Sequence, residues 1–345
     1  MKTTRQLYCQ YLLSSQINYT GTNLAAHVAG LDHNSVYRFL KGETLTPALI
    51  WEKVEPNLVQ SEEGYLIFDD TVLDKSHSFE ISGVRRQYSG NAHGLIKGIG
   101  LVNLVYYNAH TEQYWVLDFR VFDPERDGKS KLDHVNDMLD RVATRGIAYR
   151  TVLMDTWYAT TQIMTRLIKA GKLFYCPVKK NRLADDSSGQ RPYQSVQALT
   201  WTEAEQECGK IVKLHKFSGS TYLKLFRVSL STERTDDATG TSPGDIEYLV
   251  TNDVTQDDLA DAQQESARRW KIEQFHREEK QLTGIGKCEC RRNRSQRNHI
   301  CASMLVWVCL KQMAYQTRQT VYQIKKGLLS EYLRQQLRCP TLAYT

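Results

Sequence analysis

At 345 residues, 41% of them hydrophobic, the chain can bury the core of one large domain with an accessory piece, or of two domains. No apolar run approaches the ~20 residues that a membrane span requires, and Met1 to Arg5 leads into a mixed helix rather than a signal peptide, so membrane and secreted classes are set aside and a cytoplasmic protein is expected. The net charge of +6 is unevenly placed: from Arg291 to Thr345 the only acidic residue is Glu331, against ten Lys and Arg, which suits a polyanion such as nucleic acid. Eight cysteines, without a regular framework of spacings, read as free thiols of a reducing compartment. Cys288, Cys290, His299 and Cys301 match no familiar zinc spacing.

Residues 1–60 read as a small helical unit, separate from the rest of the chain. Within it Ala26, Gly30 and Val36 have the spacing of a helix-turn-helix: a small residue where two helices cross, Gly at the turn, and a branched residue beneath the second helix. Asn34, Tyr37 and Arg38, with His33 and Lys41, then stand exposed on that second helix, facing DNA; an ordinary helical hairpin gives the same pattern. Strands rich in Val, Leu, Tyr and Phe are expected at 65–73, 96–107 and 114–122. A helix at 131–144, a strand at 150–155, a helix at 160–170 and a strand at 173–178 come next. Arg85 and Arg86 fall in a long connection after the first strand, between Gly83 and Gly90.

Residues 179–245 interrupt this order as a polar, β-rich insertion, with strands at 210–217 and 222–230 able to form a small sheet of their own. Trp201 is the only Trp within it. A strand at 246–252 restores the order, and a long helix starts near Asp257 or Asp258, which make good caps. Helices at 297–317 and 320–336 complete the chain, with 318–345 read as a C-terminal helix and tail. Three strands fit for antiparallel pairing, then helix, strand, helix, strand and a long helix, is the order of a ribonuclease H-like α/β fold. Its mixed sheet spans 61–178 and 246–317 and carries helices on both faces.

The chemistry is concentrated on the long helix. At about 100° per residue, Arg269, Glu273, Arg277 and Lys280 fall within roughly one third of the circumference, beside Ser266 and His276. A solvated, salt-bridged helix face gives the same stripe. Asp70 and Asp155 each end an apolar strand, where carboxylates could join the helical Glu273 around metal ions. Asp69 alternates to the other side of its strand, so one member of the pair faces the site. Arg291 and Arg292, with Arg294 and Arg297, form a basic loop beyond the helix; like Arg85 and Arg86 it could contact phosphate, and a solvated loop gives the same pattern.

The combination resembles the DDE transposases of bacterial insertion sequences, in the cut-and-paste group with a Tyr-Arg-Glu-Lys signature. Arg269, Glu273 and Lys280 fit its spacing, and Asp70-Thr71, Val152-Leu-Met-Asp155 and Trp270-x-Ile272-Glu273-x-Phe275-His276 also look like that group. Gly83 to Gly90 is familiar from it as well. Ser266 stands where the signature has Tyr, so it can bond a phosphate but cannot stack on a base; Trp270 nearby could supply the stacking, and packing in the core accounts for it equally well. The resemblance implies double-stranded DNA partners, both transposon ends and target, and a homodimer in the synaptic complex. It also implies two magnesium ions, with manganese able to substitute, held by Asp70, Asp155 and Glu273, in a nucleoid-associated bacterial protein. A nuclease of the same fold, or an adopted DNA-binding protein with idle carboxylates, shares these features.

Overall fold

The computed structural model describes residues 1–78, 80–90, 92–219, 221–229 and 246–338. The chain begins with helices α1 (Arg5–Ser14), α2 (Gly21–Ala26), α3 (His33–Gly42) and α4 (Pro47–Val54). Strands β1 (Tyr65–Asp74), β2 (Arg85–Ser89), β3 (Gly94–Asn108) and β4 (Gln113–Phe122) come next, then α5 (Pro124–Asp127), α6 (Lys131–Thr144), β5 (Thr151–Leu153), α7 (Thr161–Lys169) and β6 (Leu173–Val178). The following segment holds β7 (Leu183–Asp185), β8 (Gln194–Ser195), α8 (Glu203–Cys208), β9 (Lys210–Leu214) and β10 (Leu223–Ser229). The chain then runs through β11 (Ile246–Thr251), α9 (Leu259–Ala267), α10 (Trp270–Leu282), α11 (Asn293–Thr317), α12 (Val321–Gly327) and α13 (Ser330–Arg338).

Side-chain caps start the early helices: Thr4, Thr20 and Asp32 accept from the N–H groups of Leu7, Asn23 and Asn34. Gly30, at φ +70°, makes the turn between α2 and α3 in a conformation that side chains with a Cβ resist. Burial of Val36, Phe39 and Leu40 turns Asn34, Tyr37 and Arg38 to solvent, as expected. The unit is not detached, however. Helices α1, α3 and α4 pack on α11, which is buried along most of its length and therefore needs cover on several sides. The Asn298 amide donates to the carbonyls of Leu40 and Glu43 and accepts from the Leu45 N–H, and Tyr8 Oη lies 2.7 Å from His299 Nδ1.

Among the described residues the sheet has eleven strands in the order β2-β3-β1-β5-β6-β11-β10-β9-β7-β8, with β4 on β3. Pairing is parallel for β1–β5 and β5–β6 and antiparallel elsewhere. Three expectations are corrected by this topology. Arg85 and Arg86 lie on a strand, β2, held by the Gly94–Gly98 end of β3. The insertion does not close on itself, because β9 and β10 join β11, which pairs with β6 and so extends the central sheet. The long helix is two helices, α9 and α10, joined through Arg268 and Arg269.

Smaller differences have local causes. Basic residues expected in a loop begin α11 at Asn293, and the C-terminal helix is divided into α12 and α13. A Thr202–Glu205 capping box builds α8 within the insertion. Residues 230–245, part of the expected insertion, and 339–345, the expected tail, lie outside the described residues. No described helix is long and apolar enough to cross a membrane. His299 is spent on Tyr8 and the Gly284 carbonyl, and Cys301 on the Thr46 carbonyl.

Candidate active site

Asp69 and Asp70 are neighbours on β1 and therefore point to opposite faces of the sheet. Across the antiparallel pairing Asp69 is opposite Asn103, and Asp70 opposite Val102. Asn103 Nδ2 lies 2.9 Å from His276 Nε2 of α10, so the face shared by Asn103 and Asp69 is the one α10 covers. Asp70 turns towards α6: its Oδ2 is 2.5 Å from Lys131 Nζ, and its Oδ1 accepts the Tyr158 hydroxyl at 2.9 Å.

The parallel register fixes the second carboxylate. Tyr65, Leu66 and Ile67 are level with Thr151, Val152 and Leu153, where β5 ends; Asp155 lies two residues past that end, near enough for its charge to act on Asp69. There Asp155 Oδ1 accepts the N–H groups of Trp157 and Tyr158, both at 3.0 Å.

The electrostatics reflect this geometry. Burial pushes the Asp69 carboxyl well above the usual carboxylate range, and the Asp155 charge pushes further, with Arg269 opposing. Burial also raises Asp155; its backbone hydrogen bonds and Arg269 oppose, and the Asp70 charge adds to the rise. Burial disfavours the Arg269 guanidinium, yet Asp69, Glu273 and Asp155 together hold it above its ordinary value. Its Nη1 lies 2.9 Å from Glu273 Oε1. Burial lowers Lys280, and Asp69 partly restores it.

Asp155, Arg269, Glu273 and Lys280 thus gather as the sequence predicts, but with Asp69 on the helix-covered face. Asp70, the residue expected from the sequence, lies on the other face of β1, engaged by Lys131 and Tyr158, and its charge also reaches Asp155. A signal was present in the sequence. Tyr65-Leu-Ile-Phe runs directly into Asp69 as Thr151-Val-Leu-Met runs into Asp155, and aligning the two runs pairs those aspartates.

The other predicted residues are more scattered. Ser266 is half-buried on α9, and Trp270 is half-buried at the start of α10. Arg85 pairs with Glu125 at 2.7 Å, Arg86 is exposed, Arg291 pairs with Glu80 at 2.5 Å, and Arg292 is the N-cap of α11. Asn34, Tyr37 and Arg38 remain on α3. Sequence reasoning missed Trp157, two residues past Asp155: it is 47% exposed, with Lys131 Nζ 5.5 Å from its ring centroid.

Residues 60–309 match the family described as the transposase DDE domain. The chain belongs to the DDE transposase family. No curated protein matches it. Among solved structures, a cryo-EM structure of the piggyBac transposase synaptic complex with hairpin DNA is similar at 12% identity, covering 98% of this chain and 72% of that one with a TM-score of 0.46.

DDE transposases generally use divalent metals. The hard oxygens of Asp69 and Asp155, on β1 and just past the neighbouring β5 and raised by burial and by charge repulsion, suit such an ion. Among the described residues no three His, Cys, Asp or Glu side chains are grouped to hold one. Glu273, the carboxylate expected from the sequence on this helix, is engaged by Arg269.

Proposed function

We propose that this transposase binds the terminal inverted repeats of a bacterial insertion sequence, cleaves a phosphodiester at each end to free a 3′ hydroxyl, and joins that hydroxyl to target DNA. The observation that carries the reading is the set of two carboxylates, Asp69 within β1 and Asp155 just past β5, beneath a helix bearing Glu273 and Lys280 with Arg269 at its N-cap. Asp69 and Asp155, with Glu273 once Arg269 turns to phosphate, would hold two magnesium ions that activate the attacking oxygen and stabilise the leaving one. Arg269 and Lys280 neutralise the scissile phosphate, and the turn after Asp155 holds its carboxylate in place. The order β4-β3-β1-β5-β6, with β3 antiparallel to β1, supports the ribonuclease H-like assignment. The outward face of α3, with Asn34, Tyr37 and Arg38, supports end recognition there, and a homodimer would hold the two ends in synapsis.

The test is strand transfer by the full chain. Given plasmid, magnesium and a pre-cleaved terminal-repeat duplex with a free 3′ hydroxyl, the protein should produce covalent joints, and a 3′ deoxy end should abolish them. Plasmid nicking without joints would favour the metal-dependent nuclease, and tight binding with neither product the idle DNA-binding protein.

A further inference from the structure

A second basic site lies where the N-terminal helices meet the sheet. A cavity of about 380 Å³ is walled by Arg120 of β4, Arg126 of α5, His134 and Arg141 of α6, and Arg294 and Arg297 of α11, with Thr44 to Pro47 closing one side. The carboxylates nearest these cations are fewer than the five guanidinium groups. Asp118 is held by Arg120 at 2.5 Å and Arg141 at 3.6 Å, Asp123 lies 3.3 Å from Arg297, and Asp127 borders the cavity. Burial, and then the like charge of Arg126, lowers the pKa of Arg297.

Two features of this cavity are anomalous without an anion. The first is the start of α11. A helix N-terminus presents unpaired N–H groups and a positive dipole end, which favour acidic residues and anions. Here Arg292 is an N-cap with no side-chain hydrogen bond to the helix, the first turn has no acidic residue, and Arg294 and Arg297 sit within the first five residues. The second is His134, which is 3% exposed, lines the cavity and has no hydrogen-bond partner at either ring nitrogen. Its nearest charged neighbour is Asp127, 3.6 Å from Nε2. A buried polar group without partners is costly, and such local conflicts concentrate at functional sites.

We infer that this cavity seats a phosphate group, gripped by Arg126, Arg294 and Arg297 with His134 donating from its floor. The phosphate is supplied by a DNA backbone, an assignment that rests on the transposase reading, or by a free nucleotide. The backbone fits the location: the cavity is bordered by the connection after α3 and by α6 one turn from Lys131, which holds Asp70.

Arg126 and Arg294 are exposed and make light contacts, to Asn293 and Thr44, so Arg126→Gln combined with Arg294→Gln should leave the fold intact. The wild-type full chain should melt several degrees higher in millimolar pyrophosphate, and the double variant should lose that rise. With a random-sequence duplex, the slope of log affinity against log salt should become shallower by about 1 to 2 in the variant. Loss of the pyrophosphate response with an unchanged DNA slope would assign the seat to a free nucleotide. Identical behaviour of both proteins in both assays would overturn the inference. Strand transfer measured on the same wild-type preparation keeps the two readings apart: no joints with an intact pyrophosphate response would sink the transposase mechanism and leave the cavity standing.

Discussion

Two adjacent aspartates should respond to the same substitution with opposite signs. In the folded chain the Asp69 carboxyl is raised by burial and by Asp155, so native stability is lost as pH rises from the unfolded value, about 3.9, through the raised folded one. At neutral pH without metal, Asp69→Asn should therefore stabilise, by about 1 kcal/mol if it behaves like other relieved functional-site charges. Asp70 is the reverse case. Its carboxylate pairs with Lys131 at 2.5 Å, the two side chains 18% and 15% exposed, and also accepts the Tyr158 hydroxyl. Such a pair lies between surface bridges, worth about 0–1 kcal/mol, and buried ones, whose breakage costs about 3–5 kcal/mol. Asp70→Asn should thus cost about 2 kcal/mol and lower the melting temperature by roughly 2–6 °C. Melting curves in EDTA at pH 7.5 read both effects. Strand transfer should then be undetectable for Asp69→Asn yet within about tenfold of wild type for Asp70→Asn, a barrier change below about 1.4 kcal/mol. A destabilised Asp69→Asn that still joins DNA, beside an inert Asp70→Asn, would refute the face assignment and return the site to Asp70.

Other expectations arise from the same geometry. Arg269→Ala leaves Asp69, Glu273 and Asp155 facing one another and should cost about 3 kcal/mol, part of it recovered on adding magnesium; a melting temperature indifferent to magnesium counts against the carboxylate cluster. Lys280→Ala should weaken DNA binding most at low salt, and equal losses at every salt concentration would contradict a phosphate contact. Asn34→Ala with Arg38→Ala should erode the preference for terminal repeat over random DNA more than binding to random DNA, which competition binding measures. His276, buried against Asn103 and lowered by burial to about 3, stays neutral while the unfolded chain takes up its proton. Stability should therefore fall by about 1.4 kcal/mol per pH unit from this group as pH drops below about 6.5, and His276→Gln should flatten the melting profile there; an unaltered profile would exclude it.

The strongly periodic parts of the fold were legible. Helix α6 falls at 131–144 as expected because a Ser130–Asp133 capping box starts it ahead of an amphipathic run. Strand β2 was not legible, since Arg-Arg-Gln-Tyr-Ser has no apolar alternation and is a strand only because β3 runs long enough to pair with it. The merging of the insertion with the main sheet depends on β11 pairing with β6, a register set at long range that no local pattern encodes. Alternation on β1 correctly announced that Asp69 and Asp70 point to opposite faces of the sheet. Which of them α10 covers could not be read locally; the contact between Asn103 and His276 shows it to be Asp69.

Helix α11 is the common floor of α1, α3 and α4, it packs on α10, and near its start Arg297 pairs with Asp123 just past β4. If α3 reads the ends and the carboxylates cut them, as proposed, recognition and cleavage are mounted on one strut, and the chain would behave as a ruler. On that proposal, the offset between the bases read by α3 and the bond that is cut would be a fixed length of protein. Adding a base pair between the recognised sequence and the end of the element should move the scissile position relative to that end, not stretch the enzyme to reach it. Variation among the ends such a protein accepts should accordingly be found in their bases, with the spacing held constant.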